Sequence, residues 1–173
     1  MKKNKLQNTV FILFILSFLG IAGLLVRDLL RSPSDYFDLA QEYIKQKDYQ
    51  TALIYLRRSA KAGLPQAQYE LALWYDVGDK IPENRELALH YMQQAVANEI
   101  PEAQYALGVW IERGCIPDKN TSDAVLLYEK AGQKGHQNAI KSLISIYGLG
   151  ADGVIPDFNK QTYWISQLKN KGK

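Results

Sequence analysis

The residues best suited to chemistry in this 173-residue chain are one cysteine, Cys115, and two histidines, His90 and His136. A zinc site needs three or four Cys, His or carboxylate ligands, usually with two of them a few residues apart. The histidines lie 46 residues apart, and neither has a second His or Cys at such a spacing. No serine has the context of a nucleophile elbow or a Ser-His-Asp order. Gly148-Leu-Gly150-Ala-Asp-Gly153 holds three glycines, but they read as turn residues of an inter-helix loop rather than as a phosphate cradle. Asp118 and Asp123 form a pair of acids that helix starts explain, because carboxylates there complement the helix dipole. Cys115 is expected to pack as a small hydrophobe. A lone cysteine leaves no disulfide within the chain. The expectation is therefore no catalysis, no metal and no cofactor.

The elements that carry these residues recur. Pro65-Gln-Ala-Gln-Tyr-Glu-Leu-Ala-Leu-Trp-Tyr is followed 36 residues later by Pro101-Glu-Ala-Gln-Tyr-Ala-Leu-Gly-Val-Trp-Ile. The offset runs on through Gly78/Gly114, Ala88/Ala124 and Ala95/Ala131. A fixed period of this length marks a repeat array. Each copy divides into two helical patterns. Ala67, Leu71, Trp74 and Tyr75 make one apolar face, and Leu87, Ala88, Tyr91, Met92, Ala95 and Val96 make another. Gly78 ends the first helix, and Ile81-Pro82 turns the chain. Leu107, with its counterparts Leu71 and Leu143, is expected in the core.

This pattern resembles Sel1-like repeats, relatives of tetratricopeptide repeats with a longer loop between the two helices. Residues 101–136 carry the resemblance best, through Leu107-Gly108, Gly114, Ile116-Pro117, Ala124, Tyr128-Glu129-Lys130-Ala131 and Gly135. Two positions depart from it: Ala72 stands for the glycine after leucine, and Glu99 for the glycine near the end of the second helix. Some secreted members carry a cysteine pair in each repeat, which this chain lacks. The expected fold is all-α: a right-handed α-solenoid of about four helix-turn-helix repeats at about 35–63, 65–100, 101–136 and 137–173. The first copy has a short inter-helix loop. In the last, Ile155-Pro156 stands for Ile81-Pro82, and Gln161 stands for Ala88 and Ala124.

Stacked helix pairs curve into a solenoid whose first helices line the concave side. Leu71 and Tyr75 are expected to face the core. Turned away from them, Tyr69, Leu73 and Asp76 form an i, i+4, i+7 stripe, which the next copy repeats as Tyr105, Val109 and Glu112. Aromatic, aliphatic and acidic groups together suit a protein-binding groove. The same two tyrosines would also suit packing between neighbouring repeats, and the sequence leaves both readings open.

Ahead of the repeats, Val10–Val26 is a run of seventeen residues without a charge. Extended to residues 6–30, it is long enough for a membrane helix. Lys2, Lys3 and Lys5 precede it. Arg27 and Arg31 follow, offset partly by Asp28. The positive-inside rule places the N-terminus in the cytoplasm and the repeats outside it, in the periplasm or extracellular space. Residues 1–31 are thus expected to be a single-pass anchor in the cytoplasmic (inner) membrane, and 32–173 a repeat domain. The alternative is a secreted product, with a signal peptide cleaved after Gly20-Ile-Ala22. The formal net charge is +3, and the basic excess lies in residues 1–31. It is a targeting feature and not a nucleic-acid footprint.

The resulting expectation is a membrane-anchored, extracytoplasmic protein-binding module that holds another protein in its concave groove. By architecture it resembles immunity proteins that neutralise secreted toxins such as phospholipase effectors. The competing readings are a structural adaptor of an envelope or secretion complex, and an enzyme acting on cell-wall material. The last would need a polar cluster in the groove that the sequence does not show.

Overall fold

The computed structural model describes residues 31–170. The expected membrane segment, residues 6–30, lies outside them. Among the described residues no helix is long and apolar enough to cross a membrane.

The described chain forms eight helices: α1 (Pro33–Lys45), α2 (Tyr49–Lys61), α3 (Pro65–Val77), α4 (Arg85–Ala97), α5 (Pro101–Glu112), α6 (Thr121–Gln133), α7 (Gln137–Leu149) and α8 (Phe158–Asn170). It contains no β-strand, only one isolated bridge between Ala151 and Val154. Two starting devices alternate. The odd helices α1, α3 and α5 open on a proline, whose missing N–H falls where a helix has no acceptor to offer. The even helices open on an Asp or Asn that accepts backbone N–H bonds. Asp48 receives Thr51, Asn84 receives Leu87, Asn120 receives Asp123, and Asp157 receives Asn159 and Lys160. Such caps satisfy donors that the first helical turn leaves orphaned. Asp123 returns a bond to the Asn120 backbone and completes a capping box. Asp118 is not at a helix start as expected. It sits in the α5–α6 loop with a left-handed backbone, φ 59°.

Each odd helix packs most extensively against the even helix that follows it, and less against the next hairpin, with α4 against α5 the sparsest of these junctions. Close approach within a hairpin depends on small residues facing large ones. Ala40, Ala72 and Gly108 occupy one position in successive odd helices, while Leu56, Met92 and Tyr128 occupy one position in the even helices. The three large side chains are fully buried. Gly108 is the extreme case: a Cβ there would lie 2.5 Å from Tyr128 Cε1. The core divides into two clusters. One runs from Ala40 to Trp110 and the other from Ile111 to Trp164, and half-buried Leu107 and Ile116 touch both. Leu71 and Leu143 are fully buried. Leu107 is only half-buried, because it bridges the two clusters instead of sitting inside one.

The last repeat corrects another expectation. Ile81 is buried, whereas Ile155 is 84% exposed. The longer final loop shifts the register by one residue, so Val154 packs against the core in its place.

Candidate binding groove

A cavity of about 730 Å³ lies along α3 between α1 and the start of α5. Its walls come from the first helices of the first three hairpins and the loop after α3. Phe37 contributes from α1, and Tyr69, Leu73, Trp74 and Val77 form an apolar strip on α3. Ile100, just before α5, closes the far wall. Val77 is 63% exposed. The Trp74 ring takes the edge of Tyr49 at 6.0 Å, and Lys80 Nζ lies 5.5 Å from its centroid.

Set into this apolar strip are three carboxylates and one ammonium: Glu70, Asp79, Glu102 and Lys80. Glu70 is half-buried, and its Oε2 accepts from Gln41 Nε2 at 2.6 Å. Burial pushes its carboxyl above the usual range, while Gln41, Lys80 and Trp74 oppose that shift. Lys80 is shared, since its Nζ also lies 3.5 Å from Asp79. Burial raises the Tyr69 hydroxyl, and the charge of nearby Glu102 adds to the effect.

Of the six residues expected to line one continuous stripe, Tyr69 and Leu73 lie in this groove. Asp76 is exposed on another side of α3. It borders a smaller depression, about 390 Å³, shared with Arg85, Trp110 and Cys115. Tyr105 lies between two rings, 5.6 Å from Tyr128 and 4.6 Å from His136 by centroids. Val109 packs against the second core cluster. Glu112 accepts a hydrogen bond from the Tyr128 hydroxyl. The two copies differ because Gly108 admits the Tyr128 ring, which engages both Tyr105 and Glu112. In the preceding repeat Met92 stands there and makes no such polar bond.

The residues that sequence reasoning passed over follow a simple rule. The strip continues from Leu73 to Val77, an i+4 step, rather than to Asp76. Phe37 matches Tyr69 at an offset of 32 residues, because the α1–α2 connection is four residues shorter than the α3–α4 connection. A search at the fixed period of 36 therefore misses it.

The remaining reactive groups are dispersed. Cys115 is exposed rather than packed, since the α5–α6 loop carries it onto the rim of the smaller depression. His90 contacts Gln94. His136 caps α7, its Nδ1 accepting from the Ala139 N–H at 3.2 Å. Burial lowers the His136 pKa, against a smaller opposing pull from Glu102. Among the described residues no three or more His, Cys, Asp or Glu side chains gather where they could hold a metal ion. The buried polar side chains belong to packing. Gln68 donates to the Ala60 carbonyl and accepts from Asn98. Its counterpart Gln104 has a buried Oε1 without a partner, because Lys134, in the place of Asn98, turns instead to Glu99.

Stacked helix hairpins with a lined groove and dispersed reactive groups define a helical-repeat scaffold. The profile of the Sel1 repeat matches residues 36–64, 65–99 and 101–136, together more than half of the chain. The chain belongs to the Sel1 repeat family. No curated protein matches it in sequence. Among solved structures, a Sel1 repeat protein from Oxalobacter formigenes is 26% identical, with a TM-score of 0.72, over 81% of this chain and 59% of that one. A protective antigen of uropathogenic Escherichia coli with the same repeat fold is 22% identical, with a TM-score of 0.72, over 82% of this chain and 31% of that one. An immunity protein of Pseudomonas aeruginosa is 22% identical, with a TM-score of 0.54, over 81% of this chain and 60% of that one. The chain thus aligns with between about a third and three-fifths of the length of these structures.

Proposed function

We propose that this protein is a membrane-anchored, non-catalytic binding module that holds another protein in the groove along α3. The observation that carries the reading is the groove itself: an apolar strip along α3 in a cavity of about 730 Å³, with charged side chains set into it. Aromatic and aliphatic anchors in a desolvated trough, with polar groups at the rim, are the usual makings of an interface. In this reading residues 1–31 form the anchor. Lys2, Lys3 and Lys5 keep the preceding end in the cytoplasm, and the repeats face the periplasm or extracellular space. Immunity against a secreted toxin such as a phospholipase effector is the particular role proposed, supported by the shared fold of the Pseudomonas aeruginosa immunity protein.

The test is a pair of variants in one binding experiment with the full-length protein in membranes. Replacing Tyr69 and Leu73 by small polar residues is expected to abolish capture of the partner while circular dichroism shows the helices intact. Replacing Cys115, His90 and His136 together by alanine is expected to leave capture and cellular protection unchanged. Loss of activity in the second variant with full capture by the first would refute the reading and point to an enzyme. A phosphatase fused after residue 173 is expected to be active outside the cytoplasm, and an inactive fusion would reverse the orientation.

A further inference from the structure

We infer that the segment received by the groove presents a lysine or arginine to Glu70, next to an apolar side chain that lies on Val77. The inference rests on the groove reading above and specifies the chemistry of its occupant.

Glu70 lies midway along α3, within the apolar strip instead of at its rim. Its close hydrogen-bonding neighbours are neutral, the amide of Gln41 at 2.6 Å and the indole N–H of Trp74. The charges that face it are Lys80, Asp79 and Glu102. Lys80 serves two carboxylates at once, being 3.5 Å from Asp79. Three carboxylates against one ammonium leave the groove two charges negative. The three classes of occupant then separate. A purely apolar segment would strip water from Glu70 and return nothing for it, which is expensive for a carboxylate. An acidic segment would add like charge in a partly desolvated trough. A basic side chain does neither. Its aliphatic stem can lie along Leu73 and Val77 while its head reaches the carboxylate. The head then makes a charge-assisted hydrogen bond, stronger than a neutral one. Val77, at 63% exposure, is the apolar surface left for the neighbouring side chain.

The experiment is a selection of random peptides on the full-length protein in detergent micelles, followed by titration of the enriched sequences. Peptides weakened about fivefold or more by Val77→Asn, an exposed change outside the core, are the groove binders. These are expected to carry Lys or Arg beside an apolar residue. Citrulline or norleucine in place of the basic residue, or Glu70→Gln in the protein, should each weaken them about tenfold or more, as expected for removing one member of a partly buried charge pair. The two changes together should cost little more than either alone, and an amide at position 70 still accepts from Gln41, so the fold is kept. A glutamate-bearing version of the same peptides should bind Glu70→Lys better than it binds the natural protein. Groove binders that show no basic preference, or that bind Glu70→Gln unchanged, overturn this inference and leave the groove reading standing. Enriched peptides all indifferent to Val77→Asn, or no enrichment at all, overturn the groove reading and this inference with it.

Discussion

Replacing Gly108 by alanine should change sign according to what stands at position 128. A Cβ at 108 would lie 2.5, 2.9 and 3.1 Å from three atoms of the Tyr128 ring. That ring cannot withdraw: it is fully buried, its hydroxyl is bonded to Glu112, and Tyr105 lies against it. Overpacking of this kind costs about 1–3 kcal/mol. Alanine in a helix interior returns about 1 kcal/mol relative to glycine. Gly108→Ala alone should therefore destabilise by up to about 2 kcal/mol. In a Tyr128→Met background the obstruction is gone, and the pair becomes the Ala72–Met92 pair of the preceding repeat. The same alanine should then stabilise by up to about 1 kcal/mol. The coupling energy of the cycle, about 1–3 kcal/mol, lies within the range for residues in contact. Urea unfolding of the four proteins, followed by far-UV circular dichroism and tryptophan fluorescence, measures it through the midpoint at constant slope. Additive effects within about 0.5 kcal/mol, with the same sign in both backgrounds, would refute the complementarity of the two positions.

Three further outcomes are expected. Burial raises the Glu70 carboxyl above its ordinary value of 4.5, so ionisation there weakens the native state above that raised value and has no effect below about pH 4.5, where both states are protonated. Glu70→Gln should accordingly raise the melting temperature at pH 7, with the advantage fading as the pH approaches 4; an unchanged or lowered melting temperature at pH 7 would contradict this. The His136 pKa is depressed below 6.5 in the folded chain, so the unfolded chain takes up its proton first and stability falls as pH drops through 6.5; His136→Asn, which keeps a capping side chain, should flatten the melting temperature between pH 7.5 and 5. Glu99 holds φ 58° where Gly63 and Gly135 hold φ 93° and 92°, so Glu99→Gly should be more stable than Glu99→Ala by about 1 kcal/mol, the reverse of their helix ranking, and equal urea midpoints would show that the turn relaxes.

The helices were legible because each repeat carries its own signals. Pro65 and Pro101 open helices, Gly78 closes one, and the spacing of Leu71, Trp74 and Tyr75 marks the buried face. The groove was half legible. Tyr69 and Leu73 point into it, but the period of 36 concealed Phe37 behind a shorter loop. The choice between Asp76 and Val77 turned on a 100° rotation that one helix in isolation does not settle. Tyr105 and Glu112 show why copying a pattern between repeats has limits. Their surroundings depend on Tyr128, in a different helix, and on the glycine that admits it. Cys115 and Leu107 were misread for related reasons. One lies in a loop whose path no periodicity specifies. The other has a repeat position that implies full burial, but it sits at a seam. Val154 displaced Ile155 because one inserted residue outweighs the match of an Ile-Pro pair.

The seam between the two core clusters bears on how the molecule comes apart. Protein segments that share a core tend to open together, and elements joined by few contacts open separately. Here the sparsest junction, α4 against α5, falls beside the boundary between the clusters. Amide exchange should therefore report two protection levels, one for α1–α4 and one for α6–α8, with α5 between them. The groove lies across that junction, taking Ile100 and Glu102 from beyond α4. A bound segment would act as a splint: it can remain fully engaged only while both blocks are docked, so its binding energy would be returned as slower exchange in α5 and α6, helices that contribute little to the groove.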